Sequence, residues 1–145
     1  MRIQALGHVV LKVRNQKRAE AFYNGILGLP IVARLDPYHM TFFSLGNHHD
    51  FAVMAIGDDA EAPAEHAAGM HHVAFKIGDS LDDLRTARTD LESAGLEVMP
   101  IDHGVTQSLY FHDPDGNELE VYVDTSDAWK LRPELIAQIG PLDLN

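Results

Sequence analysis

The chain has no cysteine, so it can form neither a disulfide nor a thiolate-ligated metal centre, and structural zinc sites of the Cys-rich kind are excluded. It is also short of cations. Eleven Lys and Arg against 22 Asp and Glu leave a formal net charge of -11, a surface that repels phosphate backbones and anionic membranes. Neither nucleic acid nor a membrane is therefore an expected partner. Long apolar runs are missing too: the longest is about the length of Phe51-Ala-Val-Met-Ala-Ile56, far below the roughly 20 residues of a membrane helix. The rest is ordinary, with 46% hydrophobic and 23% charged residues. A length of 145 residues fits one compact domain and is too short for two of usual size.

What the chain does have is a repeat. His8-Val-Val-Leu-Lys-Val13 returns as His72-Val-Ala-Phe-Lys-Ile77, and each copy is followed by a helix-like stretch ending in Leu-Gly or Ala-Gly and then by strand-like runs. In the first copy, residues 5–13 alternate as a strand, with His8 and Val10 on one face. Asn15 caps a helix with apolar positions Ala19, Phe22, Tyr23 and Ile26, Gly28 ends it, and strands are expected over Ile31–Leu35, Met40–Leu45 and Phe51–Ile56. The acidic, alanine-rich segment Gly57–Gly69 reads as a connector. The second copy starts with a strand over His71–Ile77 and a helix whose Ser80 and Asp83 make a capping box. Its buried stripe is Leu81, Leu84, Ala87, Leu91 and Ala94, and Gly95 closes it. Strands are expected over Leu96–Met99, Thr106–Phe111 and Glu118–Val123, the last two joined by the tight turn Asp113-Pro-Asp-Gly-Asn117. The expected fold class is thus α+β: two βαβββ modules, about 3–57 and 70–124, within a single domain 1–145. The tail, 125–145, is expected as an amphipathic helix carrying Trp129, Leu131, Leu135 and Ile139.

The repeat puts His8 and His72 at equivalent positions, where a pseudo-twofold fold can bring them face to face; two such imidazoles and one carboxylate make a metal site. In Glu118-Leu-Glu-Val-Tyr-Val123, alternation puts Glu118, Glu120 and Tyr122 on one face, and a carboxylate in an otherwise apolar strand is costly unless paired or bound to a cation. Strand pattern alone leaves Glu118 and Glu120 both open, and also leaves open a face with two solvated glutamates. His71 competes with His72, and alignment of the two copies chooses His72. Laying Asp50-Phe-Ala-Val-Met54 over Glu118-Leu-Glu-Val-Tyr122 puts Ala52 at the position equivalent to Glu120.

Paired βαβββ units with a histidine in each first strand resemble the vicinal oxygen chelate superfamily, over residues 3–124. The resemblance implies a curved mixed sheet around a metal-binding cleft, with His8, His72 and Glu120 as ligands; the glutamate follows the glycine of Asp-Pro-x-Gly by four residues. With Ala52 in place of a fourth ligand, the two-histidine, one-carboxylate triad keeps open positions and suits ferrous oxygen chemistry. The stretch from Ile101 to Glu120, with His103, Leu109-Tyr110, Asp113-Pro-Asp-Gly116 and Glu120, resembles the signature of extradiol ring-cleaving dioxygenases. That match implies that His103 hydrogen-bonds substrate and that Tyr110 is its phenolic neighbour. His48-His-Asp-Phe-Ala-Val53 is similar to the segment supplying the acid/base histidine of those enzymes, which falls on His49, with a polar hairpin loop as the alternative. The loop from His49 to His72 is longer than its counterpart in those enzymes. His39, His66 and His112 are expected as surface residues.

The resemblance implies an Fe(II) enzyme that opens a catechol-type aromatic diol, such as catechol or 2,3-dihydroxybiphenyl, with dioxygen. Two alternatives stand beside it: another metal-dependent reaction of the superfamily, such as a Mn(II)-dependent thiol transferase of the antibiotic-resistance type, a lyase or an isomerase, and a metal-free small-molecule binding module. A homodimer or higher homo-oligomer is expected. With a candidate ligand already at His8, no cleaved targeting segment is expected, and the expected location is cytoplasmic.

Overall fold

The first apolar alternation becomes strand β1, Val9–Val13, with Leu11 and Val13 buried and Val10 and Lys12 outward. It belongs to a computed structural model that describes residues 1–62, 64 and 66–145. The chain divides into two compact units, Met1–Glu65 and His66–Asn145. Each carries its own mixed sheet, so the α+β class and the two βαβββ modules are what the structure shows. No helix among the described residues is long and apolar enough to cross a membrane.

In the first unit the Asn15 side chain accepts the Arg18 amide at 3.1 Å and starts helix α1, Gln16–Glu20, which widens into a π-helical turn over Ala21–Ile26. Gly28, at φ +72°, lets the chain leave that turn. Strands β2 (Ile31–Leu35), β3 (Met40–Phe43) and β4 (Phe51–Ala55) follow, and the sheet order is β1-β4-β3-β2 with β1 parallel to β4. Tyr23, fully buried, packs at 4.8 Å from Phe51 and 6.0 Å from Phe43, so the helix is clamped to the sheet by aromatic contacts. Ile26 lies outside this core as an exposed residue.

The second unit repeats the plan with strand β5 (His72–Gly78), helix α2 (Leu81–Ser93) and strands β6 (Met99–Asp102), β7 (Thr106–His112) and β8 (Glu118–Asp124). The capping box forms as expected: Ser80 accepts the Asp83 amide while Asp83 accepts the Ser80 amide. Leu84 and Leu91 of α2 are buried, as are Leu109, Phe111, Leu119, Val121 and Val123 of the sheet. Full burial of each such side chain stabilises the fold by about 1.5–3 kcal/mol. Only this inner half of the expected stripe is covered; Leu81 and Ala94 are exposed.

Three expectations need correction. The strand expected over residues 5–13 starts only at Val9, because β4 begins at Phe51 and leaves residues 5–8 without a ladder partner; His8 immediately precedes the strand. The strand expected over Leu96–Met99 starts at Met99, since the Leu96 amide is spent on the Leu91 carbonyl in closing α2 behind Gly95. The tail is not an amphipathic helix. It forms two single 3₁₀ turns, Ala128–Lys130 and Pro133–Ile136, and a short strand β9, Gly140–Pro141, paired with β6. Pro133 removes an amide and keeps Arg132 out of the helical region, at φ -133° and ψ 78°, which prevents one continuous helix. Of the connector Gly57–Gly69, Pro63 and Glu65 lie outside the described residues.

Candidate active site

Strand register decides which side chains of the second unit meet. β5 runs parallel to β8 with His72 opposite Glu118 and Ala74 opposite Glu120, so His72 and Glu120 share a face one pleat apart. Their side chains touch, His72 Nε2 at 3.1 Å from Glu120 Oε2. β7 is antiparallel to β8 and sets Tyr110 opposite Glu120 and Ser108 opposite Tyr122. Ser108, fully buried, donates its hydroxyl to Glu120 Oε1 at 2.5 Å. The Tyr110 ring meets His72 edge-on, 5.3 Å between centroids at 89°, and its hydroxyl lies 3.0 Å from His103 Nε2. Behind, His103 Nδ1 lies 2.8 Å from the Gln138 carbonyl oxygen.

The turn between β7 and β8 locks this register. Asp113 Oδ1 accepts the amides of Asp115 and Asn117, both at 2.8 Å, its Oδ2 accepts the Asn117 side-chain amide, and Gly116 takes φ +88°. A slip of one residue there would put Tyr110 and Glu120 on opposite faces of the sheet.

Glu120 is only 7% exposed. A buried carboxylate is costly unless its charge is matched, and its partners Ser108, His72 and Tyr110 include no permanent cation. An imidazole and a buried, uncompensated carboxylate on adjacent strands are a donor set that fits a divalent metal. Tyr110 responds to the same carboxylate: burial first, then the charge and hydrogen bond of Glu120, raise its phenol well above the ordinary value. The phenol is therefore a proton-bearing donor throughout the neutral range.

The ambiguous neighbours resolve as a second pair. His71 Nδ1 lies 3.0 Å from Glu118 Oε2 and 2.8 Å from His72 Nδ1, so that His71 goes with Glu118 and His72 with Glu120. Exposure separates the two pairs: the His71 side chain is 79% exposed and that of Glu120 9%. His71, His72 and Glu118 also offer ligand atoms within 4.8 Å of one another.

In the first unit, β1 pairs with β4 in the register that β5 uses with β8. Val9 faces Phe51 as Val73 faces Leu119, so Ala52 is the counterpart of Glu120. The loop before β4 is tied down by Asp50, whose Oδ2 accepts the Leu45 amide at 2.7 Å and whose carbonyl accepts the Val9 amide. That arrangement brings His49 against His8, with ring centroids 4.2 Å apart, and His48 Nδ1 lies 2.7 Å from His49 Nδ1. Phe42 closes the edge of the His49 ring at 5.2 Å. Desolvation first, then His8 and His48, hold the His49 imidazole below its ordinary value, against an opposing pull from Asp50.

Among the residues singled out from sequence, the structure thus brings His8 and His49 together in one unit, and His72, Glu120, Tyr110 and His103 in the other. His39 sits in the β2–β3 turn at φ +50° and is exposed, as are His66 and His112. Sequence reading missed Ser108, which strand alternation from Tyr110 would have marked, and the Gln138 carbonyl, which no local pattern marks.

The family model described as Glyoxalase/Bleomycin resistance protein/Dioxygenase superfamily matches residues 5–121. The chain is 36% identical over 119 residues to Biphenyl-2,3-diol 1,2-dioxygenase 2 of Rhodococcus globerulus, covering 81% of this chain and 61% of that protein. It therefore spans about three fifths of that relative's length. It is 28% identical over 123 residues to Glutathione transferase FosA of Serratia marcescens, covering 83% of this chain and 82% of that protein. The fold is shared with a glyoxylase/bleomycin resistance protein/dioxygenase domain from Frankia sp. EAN1pec, at TM-score 0.70 and 22% identity over 85% of this chain and 99% of that one.

Proposed function

The chain belongs to the glyoxalase/bleomycin resistance/dioxygenase superfamily, and from that premise we propose that it is an Fe(II)-dependent extradiol ring-cleaving dioxygenase for a catechol-type aromatic diol. The observation that carries this reading is the set on β5, β7, β8 and the β6–β7 turn: a buried carboxylate and an imidazole in contact, with a phenol and a second histidine hydrogen-bonded to each other beside them. His8, His72 and Glu120 would hold the metal. Fe(II) bound there would supply a centre at which the two diol oxygens and dioxygen meet side by side, a proximity effect.

The chain's own residues do the rest of the work. His49, neutral at pH 7 because its imidazole is held low, takes the proton that a diol hydroxyl gives up on binding and later returns it. Tyr110, still a phenol, turns its one proton from its resting partners, His103 and Glu120, toward charge developing on the substrate oxygens, and His103 holds the phenol in place for this. The product is a ring-opened semialdehyde or related keto acid.

The second reading, a Mn(II)-dependent thiol transferase, is favoured by one observation: the FosA relative is matched over 82% of its length, the dioxygenase over 61%. The deciding experiment loads the protein anaerobically with Fe(II), adds catechol or 2,3-dihydroxybiphenyl, admits air, and follows oxygen uptake with the appearance of yellow product. Turnover that is abolished in Glu120→Ala and falls sharply in His103→Ala is expected. Stoichiometric metal without oxygen uptake, together with Mn(II)-dependent loss of thiol, would move the assignment to the transferase.

A further inference from the structure

We infer that the C-terminal segment around Gln138 belongs to the catalytic unit, its backbone carbonyl selecting the Nδ1–H tautomer of His103 and thereby presenting Nε2 to Tyr110. The inference rests on the roles proposed above for His103 and Tyr110. A carbonyl oxygen can only accept, so the 2.8 Å contact between His103 Nδ1 and Gln138 O requires the proton on Nδ1. A neutral imidazole carries one N–H, so Nε2 is left as a bare acceptor 3.0 Å from the Tyr110 hydroxyl. The Tyr110 proton then stands between two acceptors, His103 Nε2 and the Glu120 carboxylate.

The contact is built, with several bonds converging on it from segments far apart in sequence. Strand β9 pairs Gly140 with Asp102 and Pro141 with Ile101, which brings the tail alongside the residue preceding His103. Asp102 Oδ1 accepts the Gly104 amide at 2.7 Å, the His103 amide donates to the Thr106 carbonyl, and Thr125 donates its hydroxyl to Gly104 O at 2.9 Å. Gly104 takes φ +78°, and a Cβ there would fall 2.3 Å from Gln138 Oε1, so the tail lies directly over the turn that carries His103. Thirty-five residues separate the histidine from its carbonyl partner. With the tail displaced, the ring could donate from either nitrogen.

The test is ¹⁵N NMR of full-length, metal-free protein with labelled histidine, the His103 resonances assigned by their loss in His103→Asn. The expected wild-type result, read at a pH where the spectra themselves show the ring neutral, is a proton on Nδ1. Gln138→Ala, which keeps the carbonyl, should retain that tautomer. Combined Ala137→Gly, Gln138→Gly and Ile139→Gly, which loosens the segment without removing a carbonyl, should shift the population toward Nε2–H. It should also lower kcat on a catechol at least about tenfold, a part of the roughly 10²- to 10⁴-fold that a positioned proton-transfer group contributes. An Nε2–H wild-type ring would overturn the inference. So would an unchanged Nδ1–H ring in the triple variant once hydrogen exchange shows the tail amides unprotected. Because the tautomer is read without turnover, failure of the dioxygenase assignment leaves this result standing and is seen separately as absent oxygen uptake.

Discussion

Ser108→Ala isolates what holds the buried carboxylate. The hydroxyl is fully buried and gives Glu120 Oε1 a hydrogen bond at 2.5 Å, while Glu120 is 7% exposed and shares its other oxygen with His72. Alanine removes one oxygen atom and leaves a buried, charged acceptor short of a partner. A hydrogen bond to a charged group contributes about 1.5–3 kcal/mol, so a loss of about 2 kcal/mol is expected in the metal-free protein. With an m-value of about 2 kcal/mol/M, the urea midpoint falls by about 1 M. With Glu120 as the proposed metal ligand, the same hydroxyl would orient it, and losing such an outer partner costs about 10- to 100-fold in affinity. Urea unfolding monitored at Trp129 and anaerobic titration with Fe(II) and Mn(II) read the two effects independently. Stability within about 0.5 kcal/mol of wild type, joined to unchanged metal affinity, would refute the idea that Ser108 supports Glu120.

Other outcomes follow from the same structure. Tyr110→Phe should lower kcat by about 10²- to 10³-fold at saturating metal, the effect of losing one donor aimed at developing charge; steady-state oxygen uptake over a range of metal concentrations checks it. Gly116→Ala should destabilise by about 1–2 kcal/mol in thermal or urea unfolding, because φ is +88° and no neighbour within 4 Å could compensate or clash. Glu20 is held below its ordinary value chiefly by its hydrogen bond from Arg34, with help from Thr41 and against burial. A depressed folded-state value gives stability that is present above the unfolded carboxylate range and lost as pH falls through the folded one. Glu20→Gln should therefore lose stability at pH 7 and show a flatter decline below about pH 4.5 than wild type. The Tyr110 phenol, raised by burial and by Glu120, should remain un-ionised in ultraviolet titration at pH 10, where an exposed tyrosine is about half ionised.

The duplication, both βαβββ orders, the Asn15 and Ser80 caps and the Asp113 turn were legible in the sequence, because each depends on periodicity or on side chains a few residues apart. His8, His49, His72, His103, Tyr110 and Glu120 could be singled out for a related reason: a repeat and a spaced motif survive in one dimension. The pairing of His71 with Glu118 and of His72 with Glu120 could not, since it depends on which residue of β5 stands opposite which residue of β8. The tail shows the same limit from the other side. Apolar spacing suggested a helix, and Pro133, Gly140 and Pro141 made the chain give its backbone hydrogen bonds to an existing sheet instead. Which residues are candidates for the chemistry was therefore legible in local pattern; how Ser108 and the Gln138 carbonyl hold them was decided by tertiary structure, because a buried carboxylate and an imidazole proton are placed by whatever donors and acceptors the fold brings within about 3 Å, whatever their distance along the chain.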